Sequence, residues 1–167
     1  MKGWWNILRV ISGTAKSHKL KTIKGDTTRP TSDKVKESLF NIIASRIIDS
    51  IVLDVFAGTG SLGIEALSRG ASNAVFIDKS RECCNIIKEN LIHTKLENKS
   101  RIICGSLPDS INKLEGYTFD IIFMDPPYKQ NLIEKTMDNL LKNDIINKSG
   151  LIVAEHHIDD VLSENIG

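Results

Sequence analysis

From residue 51 to residue 155 the chain repeats one unit: a short apolar run, a turn, then a stretch whose apolar residues recur at helical spacing. Residues 51–55, 74–78, 101–104, 119–124 and 150–155 read as strands, and 61–69, 81–92, 108–115 and 131–143 read as the helices between them. Strands that alternate with helices connect by right-handed crossovers into a parallel sheet with helices on both faces, a Rossmann-like α/β architecture. A length of 167 residues fits one such domain. The 41% hydrophobic and 26% charged content is that of a globular chain. No apolar run approaches the ~20 residues that span a bilayer, and the start Met1–Arg9 has neither the apolar length nor the cleavage site of a secretory signal. Cys83, Cys84 and Cys104 lack a paired or metal-binding spacing. They suit a reducing cytoplasm and are expected to be small buried hydrophobes.

The first residues follow another pattern. Ile7–Ile11 and Leu20–Ile23 alternate apolar and polar residues around Gly13 and a basic stretch, which predicts a small β-hairpin outside the main core. Gly25–Pro30 reads as a turn-rich linker. Thr31 or Ser32 can cap a following helix, in which Val35, Leu39, Ile42 and Ile43 recur at helical spacing to about Ile48. The expected organisation is therefore a basic hairpin and linker over 1–30 and a single globular unit over 31–167. Net charge is +1 overall, but residues 1–36 carry nine basic against two acidic side chains, and the other 131 carry 13 against 19. A basic arm on an acidic body suits a polyanionic partner, although a solvated basic face has the same composition.

Two loops carry the chemistry. Asp125-Pro126-Pro127-Tyr128 follows the fourth strand, at the sheet end where open α/β folds bind ligands. The prolines forbid helix and leave carbonyls free to accept hydrogen bonds, Asp125 adds an acceptor, and Tyr128 adds a stacking face. Together they suit a planar ring bearing an exocyclic amine; a plain proline turn is the alternative. The second loop, Asp54–Gly63, follows the first strand, and Gly58, Gly60 and Gly63 fit G-x-G-x-x-G. The second strand ends in Asp78, where a carboxylate can take ribose hydroxyls or else cap the next helix. Asp54 would repel a pyrophosphate but attract the sulfonium and amino group of S-adenosylmethionine, which favours a methyl donor over a nicotinamide dinucleotide.

Arg29–Ile42, the Asp54–Gly63 loop, Asp78 and Asp125–Tyr128, in this order from about Arg9 to Glu155, resemble class I S-adenosylmethionine-dependent methyltransferases. More narrowly they resemble the bacterial 16S ribosomal RNA guanine-N2 methyltransferase D family. The resemblance implies methyl transfer to a guanine amine in small-subunit ribosomal RNA, free or in an assembling subunit. Transfer from a sulfonium is expected to need no metal, the cysteines suit a cytoplasmic protein, and a monomer is expected because no stripe of apolar residues is left over. The resemblance also implies cofactor contacts from Arg29, Thr31, Asp54, Phe56, Ala57, Gly58, Gly60, Asp78, Lys79, Gly105 and Ser106. Catalysis would fall to Asp125, Pro126, Pro127 and Tyr128, and RNA phosphates to Arg9, Lys16, His18, Lys19 and Lys21. Ser106 stands where many members of the family place an acid. The family pattern also implies seven strands with a final antiparallel hairpin, and this sequence ends at Gly167 before such a hairpin is complete. Adjacent His156 and His157 lack ligand partners in the sequence. Other readings are an adenine-N6 or protein-glutamine methyltransferase, a nicotinamide-dependent oxidoreductase, and a noncatalytic RNA-binding factor.

Overall fold

The computed structural model describes residues 8–23, 33–126 and 132–156. A five-stranded parallel sheet forms the centre, with β1 (Ile51–Val55), β2 (Asn73–Asp78), β3 (Ser100–Cys104), β4 (Phe119–Met124) and β5 (Ile146–Ala154) in the order β3-β2-β1-β4-β5. The five expected strands and the parallel sheet are all present. The antiparallel hairpin implied by the family pattern is not among the described residues.

The three central strands β1, β2 and β4 are apolar on both sides, so the middle of the sheet is buried between two layers. Val52, Ala74, Phe76, Ile121 and Phe123 face one layer, made by α1 (Asp33–Ile42), α2 (Ser61–Ser68) and α3 (Arg81–Thr94). Leu53, Val55, Val75, Ile77, Ile122 and Met124 face the other, with the short α4 (Asp109–Asn112) and α5 (Leu132–Lys142). Strand order reverses between β1 and β4, and the loops that follow these two strands share the crevice at that switch.

The N-terminal segment does pair as a hairpin. Arg9 bridges Lys19 antiparallel, the Val10 amide donates to His18 O, and the Leu20 amide donates to Leu8 O. It does not lie outside the core, however. Leu8, Val10, Ala15 and Leu20 are buried in the same cluster as α1–α3, because the alternating pattern gives the hairpin one apolar face that must be covered. Gly13 fixes the contact: a side chain there would stand 1.8 Å from Ser68 O, so only glycine lets the turn reach α2.

Helix α1 also departs from expectation. Ile43 is buried and Leu39 packs on the core as expected, but Val35 and Ile42 are 57% and 81% exposed, and Lys36 and Phe40 are buried in their place. The helix is rotated so that a lysine occupies the core face. Three partners make this possible: Lys36 Nζ donates to Arg9 O at 2.6 Å and to Ser61 Oγ at 3.1 Å, and lies 3.5 Å from Glu65 Oε2. Glu65, fully buried, also accepts from the amides of Ile11 and Ser12 and from Arg69 Nε. Loss of solvation holds the Lys36 ammonium below its ordinary pKa, against the pull of Glu65. Thr31 and Ser32, the expected caps of α1, lie outside the described residues. Cys83 and Cys84 are buried as expected, but Cys104 is exposed, because it ends β3 at the edge of the sheet.

Candidate active site

Three adjacent strands end in carboxylates at one rim of the sheet. Asp54 lies in β1, Asp78 ends β2, and Asp125 follows β4.

Asp54 is 3% exposed. Its Oδ2 accepts from the Gly63 amide at 2.9 Å, so the carboxylate sits beneath the first turn of α2. Gly63 is required there, because a Cβ would stand 2.3 Å from Phe76 Cε1 and 3.2 Å from Asp54 Oδ2. This is the close helix–strand approach that the third glycine of such a loop permits. Burial pushes the Asp54 carboxyl up to about 8 despite the Gly63 bond, and the charges of Asp125 and Asp78 add to the rise.

The loop between β1 and α2 turns sharply at Phe56, whose φ is 64°. Ala57 is buried and donates its amide to Ile77 O, and Gly60 caps α2 from a left-handed conformation. Asp78 supports the loop from β2: its Oδ2 accepts from the Gly58 amide at 2.8 Å and its Oδ1 from the Ser80 amide at 2.8 Å. The helix cap offered as an alternative role for Asp78 belongs instead to Ser80, whose hydroxyl accepts from Cys83 N. Lys79 is exposed beside it. After β3, Gly105 donates its amide to Asp78 O, and Ser106 is exposed. A Cβ at Gly105 would lie 2.7 Å from Ser110 Oγ, so the backbone there stays bare.

Asp125 stands in the open mouth of the crevice, and Pro126 behind it is buried. Partial desolvation, with the Glu155 carboxylate beyond β5, pushes Asp125 up to about 6. The Glu155 amide donates to Met124 O, which extends the β4–β5 pairing to the rim. Pro127, Tyr128, Arg29 and Thr31 lie outside the described residues. Among the described residues, no group of three or more His, Cys, Asp or Glu is placed to hold a metal.

The hairpin presents Arg9, Lys16, Lys19 and Lys21 to solvent, with His18 half-buried. It is tied to the crevice by two residues that sequence reasoning missed. Lys36 joins Arg9 O to Ser61 at the start of α2. Asn90, 1% exposed on α3, accepts from the Lys21 amide and donates to Lys21 O and to Thr59 O in the glycine loop. Neither has a local signature, since their partners are 25 to 69 positions away. The cap at Ser80 did have one, a serine immediately before the helical pattern.

Asp78 and Asp125 add negative charge beside buried Asp54 and raise its affinity for a proton, so the crevice favours a ligand that brings positive charge. A sulfonium with an amino group fits; a pyrophosphate would add to the repulsion. The bare backbone of the glycine loop and the spare lone pairs of Asp78 complete a donor and acceptor set suited to an adenosyl group. Doubly wound sheet, carboxylate rim and acid–proline step together define a class I, S-adenosylmethionine-dependent methyltransferase. The chain belongs to the family described as Conserved hypothetical protein 95, whose model matches residues 8–167. Among curated proteins, "Putative rRNA methyltransferase YlbH" of Bacillus subtilis is 37% identical over 96% of this chain and 88% of its own length. "Ribosomal RNA small subunit methyltransferase D" of Escherichia coli is 36% identical over 93% of this chain and 77% of its own. The solved structure named "Putative methyltransferase yhhF from Escherichia coli" superposes with a TM-score of 0.82 at 36% identity, covering 93% of this chain and 83% of that one.

Proposed function

We propose that this methyltransferase acts on small-subunit (16S) ribosomal RNA, moving the methyl group of S-adenosylmethionine to the exocyclic N2 amine of a guanine. The observation that carries the reading is the Asp125–Pro126 step at the end of β4, beside the glycine loop of β1 at the point where strand order reverses. The named relatives, which act on ribosomal RNA, and the basic hairpin support the substrate.

Asp54, Phe56, Ala57, Gly58 and Gly60 of the first loop, Asp78 and Lys79 after β2, and Gly105 and Ser106 after β3 form the cofactor site, joined by Arg29 and Thr31. S-adenosylmethionine supplies an electrophilic methyl group on a sulfonium. The protein supplies orientation and electrostatics. An amine conjugated to a purine shares its lone pair with the ring. Hydrogen bonds from its two protons to the Asp125 carboxylate and the Pro126 carbonyl localise that pair and aim it. After transfer Asp125 takes the excess proton or passes it to water, a role suited to a carboxyl near 6. Pro127 belongs to the same catalytic motif, and Tyr128 stacks on the base. The guanine must be unpaired or flipped out to reach this crevice. Arg9, Lys16, His18, Lys19 and Lys21 hold phosphates on either side of it. In this reading residues 1–30 act as the RNA arm and 31–167 as the catalytic unit of a cytoplasmic monomer that needs no metal. Among the described residues no helix is long and apolar enough to cross a membrane.

The test is transfer of labelled methyl from S-adenosylmethionine to unmodified small-subunit RNA and to subunits, followed by nucleoside analysis. Label in N2-methylguanosine is expected. Label in methyladenosine would overturn the acceptor, and transfer to neither substrate would overturn the RNA reading.

A further inference from the structure

The hairpin meets the outer face of α3 in a cleft of about 460 Å³ lined by Lys19, Lys21, Glu89, Ile92 and His93. This is within the range of about 300–1,000 Å³ in which proteins hold small organic groups. Its floor is apolar and aromatic. Ile92 is 52% exposed, and His93 meets His18 edge to face with ring centroids 5.3 Å apart. The rim carries two cations, Lys19 and Lys21. Among the residues that line the cleft Glu89 is the one acid, and it is paired at 2.8 Å with Lys21 in a bridge exposed on both sides.

We propose that this cleft seats one unpaired nucleotide of the RNA substrate, its base on Ile92 and His93 and its phosphate on Lys19 and Lys21. The inference rests on the RNA reading above and extends the RNA surface from the hairpin onto α3. An exposed isoleucine beside an imidazole gives a base a flat apolar seat without sequence readout, and two lysines above it match the phosphate that every nucleotide carries. The position is suited to a neighbour of the target rather than to the target. His93 lies about 18 Å along α3 from Arg81, at the rise of a regular helix, while Asp78 and the crevice lie just before Arg81. Asn90 couples the two places, since it holds both Lys21 and Thr59 of the glycine loop. The Lys21–Glu89 bridge is a competitor that the phosphate must displace, and exposed bridges of this kind are weak.

Three surface variants test the proposal, read by fluorescence anisotropy with a single-stranded fragment of unmodified small-subunit RNA over a range of salt. Glu89→Gln frees Lys21 and removes the one repulsive charge, so affinity should rise several-fold and its salt dependence should steepen. Ile92→Ser and His93→Ala should each weaken binding by about tenfold without changing the salt slope, because they remove stacking and not charge. S-adenosylmethionine affinity should be the same in all three, which separates loss of the subsite from loss of fold. A gain of affinity in Glu89→Gln cannot come from misfolding. Unchanged RNA affinity in Glu89→Gln, or in both Ile92→Ser and His93→Ala, overturns the subsite while the wild-type protein still binds and methylates RNA. Failure of the wild-type protein to bind RNA at all overturns the proposed function and the subsite with it.

Discussion

Replacing Asp54 with asparagine keeps an oxygen for the Gly63 amide and removes a carboxylate that is 3% exposed beneath α2. In the folded protein burial moves this group from its ordinary 3.8 to about 8, whereas in the unfolded chain it stays near 3.8. Between those two values the folded state therefore holds a proton that the unfolded state has lost. Stability from this group is complete below 3.8 and is lost as pH rises through about 8. The slope for one proton is about 1.4 kcal/mol per pH unit, so the wild-type protein should lose about 2–3 kcal/mol between pH 5 and pH 7 that the variant does not lose. Asp78 and Asp125 contribute to the shift, so the difference between the two proteins is the quantity to read. Urea unfolding of both, without cofactor, at pH 5, 6, 7 and 8 gives that difference directly. A gap that widens with pH, with Asp54→Asn the more stable protein near neutrality, is expected. Parallel stability curves would refute the argument that a buried, protonated carboxyl lies under the glycine loop.

Asp125→Ala should abolish methyl transfer while S-adenosylmethionine affinity survives, and wild-type kcat/KM should fall on the acid side with an apparent pKa near 6, as Asp125 takes up a proton and stops accepting from the amine; turnover near wild type would remove Asp125 from the mechanism. Gly63→Ala forces a methyl to within 2.3 Å of Phe76, and overpacking of that kind should cost about 1–3 kcal/mol in a denaturant melt. Lys36→Ala leaves Glu65 buried with one cation fewer, at an expected loss of about 3–5 kcal/mol; a melting temperature equal to wild type would show that the ammonium is dispensable. Changing Lys16, Lys19 and Lys21 together to Ala should weaken RNA binding and lower the slope of log affinity against log salt by about 2, and an unaltered slope would place the phosphates elsewhere.

The site was legible wherever its chemistry is local. Asp125 and Pro126 declare themselves because two prolines after an apolar strand have few uses. The glycine loop is visible because Asp54 and Gly63, nine positions apart, make their contact within one strand–turn–helix unit. The first four strands emerged nearly at their observed bounds, since a short apolar run needs only its own composition to be recognised, whereas β5 begins at Ile146, four residues before the expected 150, because its first half is polar and partly exposed. The helix α1 misled in part: of Val35, Leu39, Ile42 and Ile43, which share the spacing of a core face, Ile43 is buried and Leu39 packs on the core, but Val35 and Ile42 are exposed and the core side is taken by Lys36 and Phe40. Periodicity measures apolar side chains and is blind to a lysine whose charge is met from elsewhere.

By itself, then, the sequence determined the α/β alternation, the glycine loop and the acid–proline step, because each strand, helix and turn among them is set within a dozen or so consecutive residues by turn chemistry and by side-chain period. Tertiary structure alone decided that the basic hairpin is part of the core, that Lys36 and Glu65 form its buried anchor, and that Asn90 ties it to the glycine loop. Those bonds join residues 25 to 69 positions apart. A buried charge is stable only where such distant partners converge, and convergence is a property of the folded chain that no local window of sequence contains.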